Sequence, residues 1–358
     1  MVSAATQSSS QNSIGEGELY VLGIESTAHT FGVAVVTDRE PYILSDVRRV
    51  YRPREGGILP REVAAFFSRV AGETVKEAVE QAGVKADELT AIAVALGPGM
   101  GPALRVGATV ARALSTAYHK PLIPVNHALA HVEIARFTTK LLDPVVIYVS
   151  GGNSMVTTFL DGRYRVFGET LDIALGNLFD TFAREAGIAP PYVVDGKHAV
   201  DRCAEGGEFV EGLIPYTVKG QDVSYSGLLT AALRALSRLG RGRLSDICYT
   251  LREVALSMIV EVAERCIFHT GKRELVLAGG VAANDELRRK AELMAEDRGV
   301  RYAAVPKKYA VDNGVMIALT GLLEFRHGIT IDPSRAFIKQ RWRLDEVDVP
   351  WYPSTLGV

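Results

Sequence analysis

His127 and His131 stand four residues apart in Asn126-His127-Ala128-Leu129-Ala130-His131-Val132-Glu133, a segment whose apolar spacing suits a helix. At that interval two imidazoles leave the same helix face and can reach one metal ion. Two ligands do not complete a site, and the same spacing also arises on a polar helix face that binds nothing. The zinc-protease arrangement places Glu directly after the first His as general base. Here that position is Ala128, so this is not that motif. A third ligand must come from elsewhere, and the candidates are Tyr148 and Asp312, an acidic residue at the expected start of a helix over 315–323.

The elements that must position these groups are strands ending in small-residue turns. Residues 19–36 read as two β-strands joined by Ser26-Thr27-Ala28-His29, and 144–159 repeat the design around Ser150-Gly151-Gly152-Asn153. Such tips let backbone N–H groups approach an anion, although an ordinary polar hairpin has the same pattern. The repetition suggests duplicated halves facing one another, with nucleotide phosphates between the tips. Residues 89–96 form a buried strand that enters Gly97-Pro98-Gly99-Met100-Gly101 and then a small-residue helix through 117. That layout aims a helix dipole at an anion, or is a tight turn with close packing; without Gly-Lys-Ser/Thr it is not a P-loop. Glu274 to Ala278 is another buried strand, and its Gly279-Gly280 turn would permit close approach to a planar adenine. The helix opening near Leu175 carries Asp180, an acidic group able to accept hydrogen bonds from ribose hydroxyls. Residues 208–270 read as mostly helical.

A chain of 358 residues, 47% hydrophobic, fits two domains of ordinary size with a cleft between them. The formal net charge of −2 gives no overall footprint for nucleic acid. A local patch exists in Arg48, Arg49, Arg52, Arg54 and Arg61, read as a loop with a positive edge on which Tyr51 could stack a base; a merely solvated surface is the alternative. Cys203, Cys248 and Cys266 fall in no C-x-x-C spacing, so neither a disulfide framework nor a cysteine metal site is expected, and a reducing cytoplasm fits. No apolar run approaches the roughly 20 residues of a membrane span. Residues 1–18 are expected to be a disordered tail, 19–125 an N-terminal α/β lobe, 126–330 a C-terminal α/β lobe and 331–358 a C-terminal extension.

The motifs together resemble the Kae/TsaD family, once labelled O-sialoglycoprotein endopeptidase-like, and most closely its archaeal and eukaryotic branch, the catalytic subunit of the KEOPS complex. The resemblance covers about residues 19–330. It rests on Gly-Ile-Glu-Ser-Thr-Ala-His-Thr from Gly23, Gly-Gly-Ile-Leu-Pro-Arg-Glu from Gly56, Gly-Pro-Gly-Met-Gly-Pro-Ala-Leu-Arg-Val-Gly from Gly97, the histidine pair, Tyr-Val-Ser-Gly-Gly-Asn from Tyr148, Gly-Glu-Thr-Leu-Asp from Gly168, Ser-Tyr-Ser-Gly-Leu from Ser224, Gly-Gly-Val-Ala-Ala-Asn from Gly279 and Asp-Asn-Gly from Asp312.

The resemblance implies an actin- and sugar-kinase-like fold of two α/β lobes with an adenine nucleotide in the cleft. It implies transfer of a threonylcarbamoyl group from threonylcarbamoyl-adenylate to N6 of the adenosine at position 37 of tRNAs that read ANN codons. His127, His131 and Asp312, with Tyr148 on or near the ion, would hold one divalent metal, iron in preference to zinc. Tyr148 and Val149 would belong to the substrate- and nucleotide-binding residues, Ser150, Gly151 and Gly152 would lie against phosphate, Asp180 and Asp201 would meet ribose, and Asn284 the nucleoside. Implied partners are tRNA, contacted by Arg49, Arg52 and Arg54, and the KEOPS subunits: a small RIO-like kinase, a dimerising subunit and an accessory kinase-binding subunit. A metal-dependent glycoprotein endopeptidase and a non-catalytic ATP-switched scaffold are the alternatives. The chain departs from the family in carrying Phe66-Phe67 where a histidine pair is common, and Asp201 where a ribose-contacting Glu is usual.

Overall fold

The computed structural model describes residues 17–53, 58–189 and 196–357. The chain runs twice through one plan. In the first pass β1 (Tyr20–Glu25), β2 (Thr30–Thr37) and β3 (Ile43–Val50) form an antiparallel meander, followed by α1 (Pro60–Ala82), β4 (Ala91–Gly97), α2 (Gly101–Tyr118) and β5 (Leu122–Asn126). Then α3 (His127–Thr139) leads to a second meander, β6 (Val145–Val149), β7 (Ser154–Leu160) and β8 (Arg163–Glu169). After it come α4 (Leu175–Glu185), the short α5 (Ala199–Cys203), the two-residue pair β9 (Val218–Lys219) and β10 (Asp222–Val223), α6 (Ser226–Leu239) and α7 (Leu244–Thr270). The plan closes with β11 (Glu274–Ala278), α8 (Asp285–Arg298), β12 (Arg301–Ala304), α9 (Lys307–Ala310) and α10 (Gly314–Arg326).

The two sheets have orders β3-β2-β1-β4-β5 and β8-β7-β6-β11-β12, the same arrangement twice. In each, the first strand pairs antiparallel with the next and parallel with the fourth member, as in Ile24 opposite both Val33 and Val94, and Ile147 opposite both Val156 and Leu277. This is the two-lobed α/β architecture that the repeated hairpins predict.

Strand periodicity divides the first sheet into two faces. Leu22, Ile24, Phe31, Val33, Val35, Ile92 and Val94 pack beneath α1 and α2, joined by Phe67. Phe66 lies between Tyr51 and Phe67, with ring centroids 5.8 and 6.1 Å away, so the pair that replaces the family's histidines is an aromatic packing unit here. Val21, Ala34, Val36, Ala91, Ala93 and Ala95 form the opposite face, which α10 covers. Small residues there let α10 lie almost on the strands. A Cβ on Gly23 would stand 2.2 Å from Ala318 N, one on Gly314 2.5 Å from Ala34 N, and one on Gly321 2.3 Å from Ala93 Cβ.

Three sequence expectations are corrected. Cys203 and Cys248 form a disulfide between α5 and α7, with Cα atoms 5.9 Å apart, while Cys266 is free and buried. A sequence separation of 45 hides a contact that only the tertiary fold creates. Arg48 and Arg49 belong to edge strand β3 and not to a loop, and their charges suit an edge that must resist pairing with another chain. Helix begins only at Ser226 within 208–270, because Gly212 and Gly220, with φ of 71° and 66°, and Pro215 interrupt the preceding stretch.

Replacing Gly23 by Ala pushes a methyl into the backbone of α10. The substitution is expected to destabilise the protein by about 1–3 kcal/mol, the usual cost of overpacking. Denaturant unfolding with an unchanged midpoint would contradict the close approach.

Candidate metal centre and adjoining cleft

Glu25 ends β1, an otherwise apolar strand, and is fully buried. A buried carboxylate needs partners. The Thr27 amide and hydroxyl both donate to Glu25 Oε1 at 2.6 Å, and Glu25 Oε2 lies 2.9 Å from His127 Nδ1. Thr27 Oγ1 is also 3.1 Å from that nitrogen. With Nδ1 held by the carboxylate, Nε2 of His127 is left to face Asp312.

His127 opens α3, where the Asn126 side chain caps the helix by accepting from Ala128 N and Leu129 N. One turn on, His131 presents Nε2 3.3 Å from Asp312 Oδ1, while His127 Nε2 is 3.7 Å from the same oxygen. The ligand atoms of His127, His131 and Asp312 lie within 4.8 Å of one another. Two ligands about 2.1 Å from a tetrahedral ion are separated by roughly 3.4 Å, so two nitrogens and one carboxylate oxygen here fit a first-row divalent ion. The Asp-Asn-Gly motif resolves into separate tasks. Asp312 supplies the carboxylate, Asn313 caps α10 by accepting from Met316 N at 2.9 Å, and Gly314 allows the contact with β2.

Tyr148 on β6 is fully buried, its ring centroid 5.3 Å from that of His131. Its hydroxyl has no hydrogen-bond partner among the described residues. Burial, reinforced by the Asp312 charge, pushes its pKa well above the ordinary tyrosine value, so the hydroxyl keeps its proton. Gly279 adopts φ 87°, and a Cβ there would stand 2.4 Å from Val149 O and 3.0 Å from two Tyr148 ring carbons. Gly279 therefore lets Tyr148 seat closely, while Gly280 borders open space.

The groups of the cluster set one another's charge states. Burial opposes a charged His127 ring, but the Glu25 carboxylate overrides it and raises the pKa to about 9. Burial, aided by charged His127, lowers the pKa of His131, which stays neutral at pH 7. Asp312 is held ionised against burial by His131 and His127.

The second tip, Ser150 to Asn153, follows Val149. Ser150 Oγ accepts from Gly152 N at 3.3 Å and Asn153 N at 3.0 Å, and no atom lies within 4 Å of a Cβ placed on Gly151 or Gly152. Gly176, in the first turn of α4, packs against Ser150 O and Gly151. Farther along α4, Asp180 Oδ1 is 2.9 Å from His198 Nε2, and His198 Nδ1 accepts from Val200 N, which assigns the ring proton to Nε2. Asn284 Nδ2 donates to Asp201 Oδ2 at 2.8 Å, while its Oδ1 caps α8 through Leu287 N. Asp201 and Asn284 line a cleft of about 180 Å³ with Lys197, Glu205, Arg252 and Asp285.

Of the basic residues singled out, Arg49 is paired with Glu77 on α1, Arg52 is exposed, and Arg54 lies outside the described residues. The residues that sequence reading missed are Glu25, Thr27 and His198. The signal for Glu25 was a single acidic residue ending an apolar strand.

A family model described as tRNA N6-adenosine threonylcarbamoyltransferase matches residues 43–319. The tRNA N6-adenosine threonylcarbamoyltransferase of Aeropyrum pernix is 69% identical over 338 residues, spanning 94% of this chain and 96% of that one. Among solved structures, HypF of T. kodakarensis superposes with a TM-score of 0.60 at 16% identity, covering 87% of this chain and 48% of that one, so the chain spans about half of HypF. The activator of 2-hydroxyisocaproyl-CoA dehydratase from Clostridium difficile, solved with bound ADPNP, gives a TM-score of 0.51 at 12% identity and covers 87% and 97% of the two chains. These two likenesses show the two-lobed fold.

The raised pKa of His127 sets a pH dependence for the metal-free protein. Its pairing with Glu25 contributes stability that is fully present below about pH 6.5 and is lost as pH rises through about 9. The thermal midpoint of chelator-treated protein, relative to that of Glu25→Gln, is expected to fall across that interval. Parallel midpoints for the two proteins would refute the pairing.

Proposed function

The chain belongs to the tRNA N6-adenosine threonylcarbamoyltransferase family, and from that premise we propose that it takes the threonylcarbamoyl group from threonylcarbamoyl-adenylate at a mononuclear metal site. The enzyme is an acyltransferase acting on N6 of a tRNA adenosine. The adenosine at position 37 of tRNAs reading ANN codons is the proposed acceptor. The convergence of His127, His131 and Asp312 beside a buried tyrosine and an open glycine tip is the observation that carries this reading.

Each group has a task in that reaction. Glu25 and Thr27 orient His127, so that Nε2 faces Asp312. The open backbone of Gly151 and Gly152, at the start of α4, suits the phosphate of the adenylate. Asp180, Asp201 and Asn284 offer acceptors and one donor for the ribose and the nucleoside. Tyr148, kept protonated by burial, can donate to a carbamoyl or phosphoryl oxygen. His127, His131 and Asp312 would hold the metal, iron in preference to zinc, which supplies Lewis acidity and a template when bound. The ADPNP in the dehydratase activator supports an adenine nucleotide in the cleft. Glu25, the acidic group against His127, is fully engaged by Thr27 and the ring, which argues against water activation and hence against a peptidase.

The proposed partners are tRNA and the KEOPS subunits: the small RIO-like kinase, the dimerising subunit and the accessory kinase-binding subunit. The proposed compartment is the cytoplasm. Among the described residues no helix is long and apolar enough to cross a membrane. Arg49, Arg52 and Arg54 remain the proposed tRNA contacts, with Arg52 the better exposed of the two described.

His127→Ala and His131→Ala are each expected to abolish threonylcarbamoyladenosine in a reconstituted reaction, read by nucleoside mass spectrometry. Undiminished product from either would overturn the proposal. Arg52→Glu is expected to weaken tRNA binding and shrink its salt slope by about one or more. Equal affinity and slope would remove Arg52 from the interface.

A further inference from the structure

Both ends of α3, the helix that carries the two imidazoles, are fastened by one late stretch of chain. At its start, Asn126 does more than cap: Nδ2 donates to Trp342 O at 3.2 Å and Arg343 O at 3.4 Å. At its far end, Arg136 is completely buried. One side of its guanidinium pairs with Glu133 at 2.9 and 3.1 Å. The other donates to Leu142 O at 2.8 Å, Pro353 O at 2.5 Å and Ser354 O at 3.4 Å. Tyr164 donates to Glu133 at 2.9 Å, and the guanidinium lies 4.6 Å from the centroid of the Tyr352 ring, which stacks on Phe159 at 3.5 Å. Between these anchors the stretch is tied to the turn that joins β7 and β8, where Val349 N donates to Gly162 O at 2.9 Å. Just before them it is tied to the first sheet, where Lys339 N donates to Leu96 O at 2.7 Å.

The guanidinium is completely buried and Glu133 satisfies only one side of it, so the carbonyls of Pro353 and Ser354 that face the other side are not interchangeable with solvent. Ligand constellations must be held within about 0.5 Å of working geometry, and a helix free to slide or turn does not meet that tolerance. We propose that residues 342–354 form a strap that sets the position and rotation of α3 and thereby the aim of His127 and His131, with Asn126 and Arg136 as positioning residues. The functional consequence rests on the metal reading above.

The test uses full-length, metal-stripped protein titrated with Co(II), followed by its d–d absorption, together with amide hydrogen exchange of α3 in the metal-free state. Asn126→Ser keeps an oxygen to cap the helix and replaces the amide NH2 that donates to Trp342 O and Arg343 O by a shorter hydroxyl. Deleting residues 352–358 removes the carbonyls from Arg136. Each change is expected to lower Co(II) affinity by about 10- to 100-fold, alter the absorption envelope and speed α3 exchange. Arg136→Lys, which keeps the charge, is expected to fall between the deletion and the unaltered protein. If the deletion prevents folding, Asn126→Ser decides alone. Unchanged affinity, spectrum and exchange in that variant overturn the strap. Failure of the unaltered protein to bind Co(II), or equal binding by His131→Ala, overturns the metal reading instead, and α3 exchange then decides the strap.

Discussion

The approach of α10 to the first sheet is the contact on which the site depends. Gly23 and Gly314 replace side-chain packing with near contact between backbones, and Gly321 seats directly on the Ala93 methyl, so the height of the helix above the sheet is set by these small residues. Asp312 precedes that helix by two residues, and Asn313 pins the intervening turn through both its cap and its bonds to Val311 O and Tyr309 O. The carboxylate is therefore located by the first lobe's sheet, whereas the histidines come from a helix lying between the two sheets. Their meeting is a statement about how the lobes are joined.

Electrostatics then favours a divalent ion. Glu25 and Asp312 contribute two negative charges and protonated His127 one positive, a net −1 in a buried pocket. Exchanging the His127 proton for a divalent cation brings that sum to zero. Were an ion held at the proposed site, Glu25 would both orient the imidazole and supply half of the neutralising charge without touching the ion. The second tip works differently, offering bare backbone where the first offers a buried carboxylate. Two halves of one topology have divided the chemistry, with charge at one tip and peptide dipoles at the other.

Much of this was legible in the sequence where the signal is local. The histidine interval, the paired hairpins and the small residues at the tips are patterns within a dozen positions, and Asp-Asn-Gly marks a helix start by its capping chemistry. Distant pairings left weaker traces or none. Glu25 meets His127 across 102 positions and Cys203 meets Cys248 across 45, and no spacing rule relates either pair. The arginines at 48 and 49 read as loop because charge outweighed β-branching, yet an edge strand tolerates that composition. Gly279 showed that backbone had to approach something, without showing that the neighbour is the chain's own tyrosine.

The partners of Arg136 in the strap are 217 and 218 residues downstream. At about 5–20 residues per second, synthesis reaches them roughly 10 to 40 s after the arginine itself. During that interval a nascent α3 has Glu133 and Leu142 O for its guanidinium but not the two strap carbonyls. The helix that carries the two imidazoles is thus among the earlier parts to be translated, yet the hydrogen bonds at its far end are completed only when residues 353 and 354 arrive.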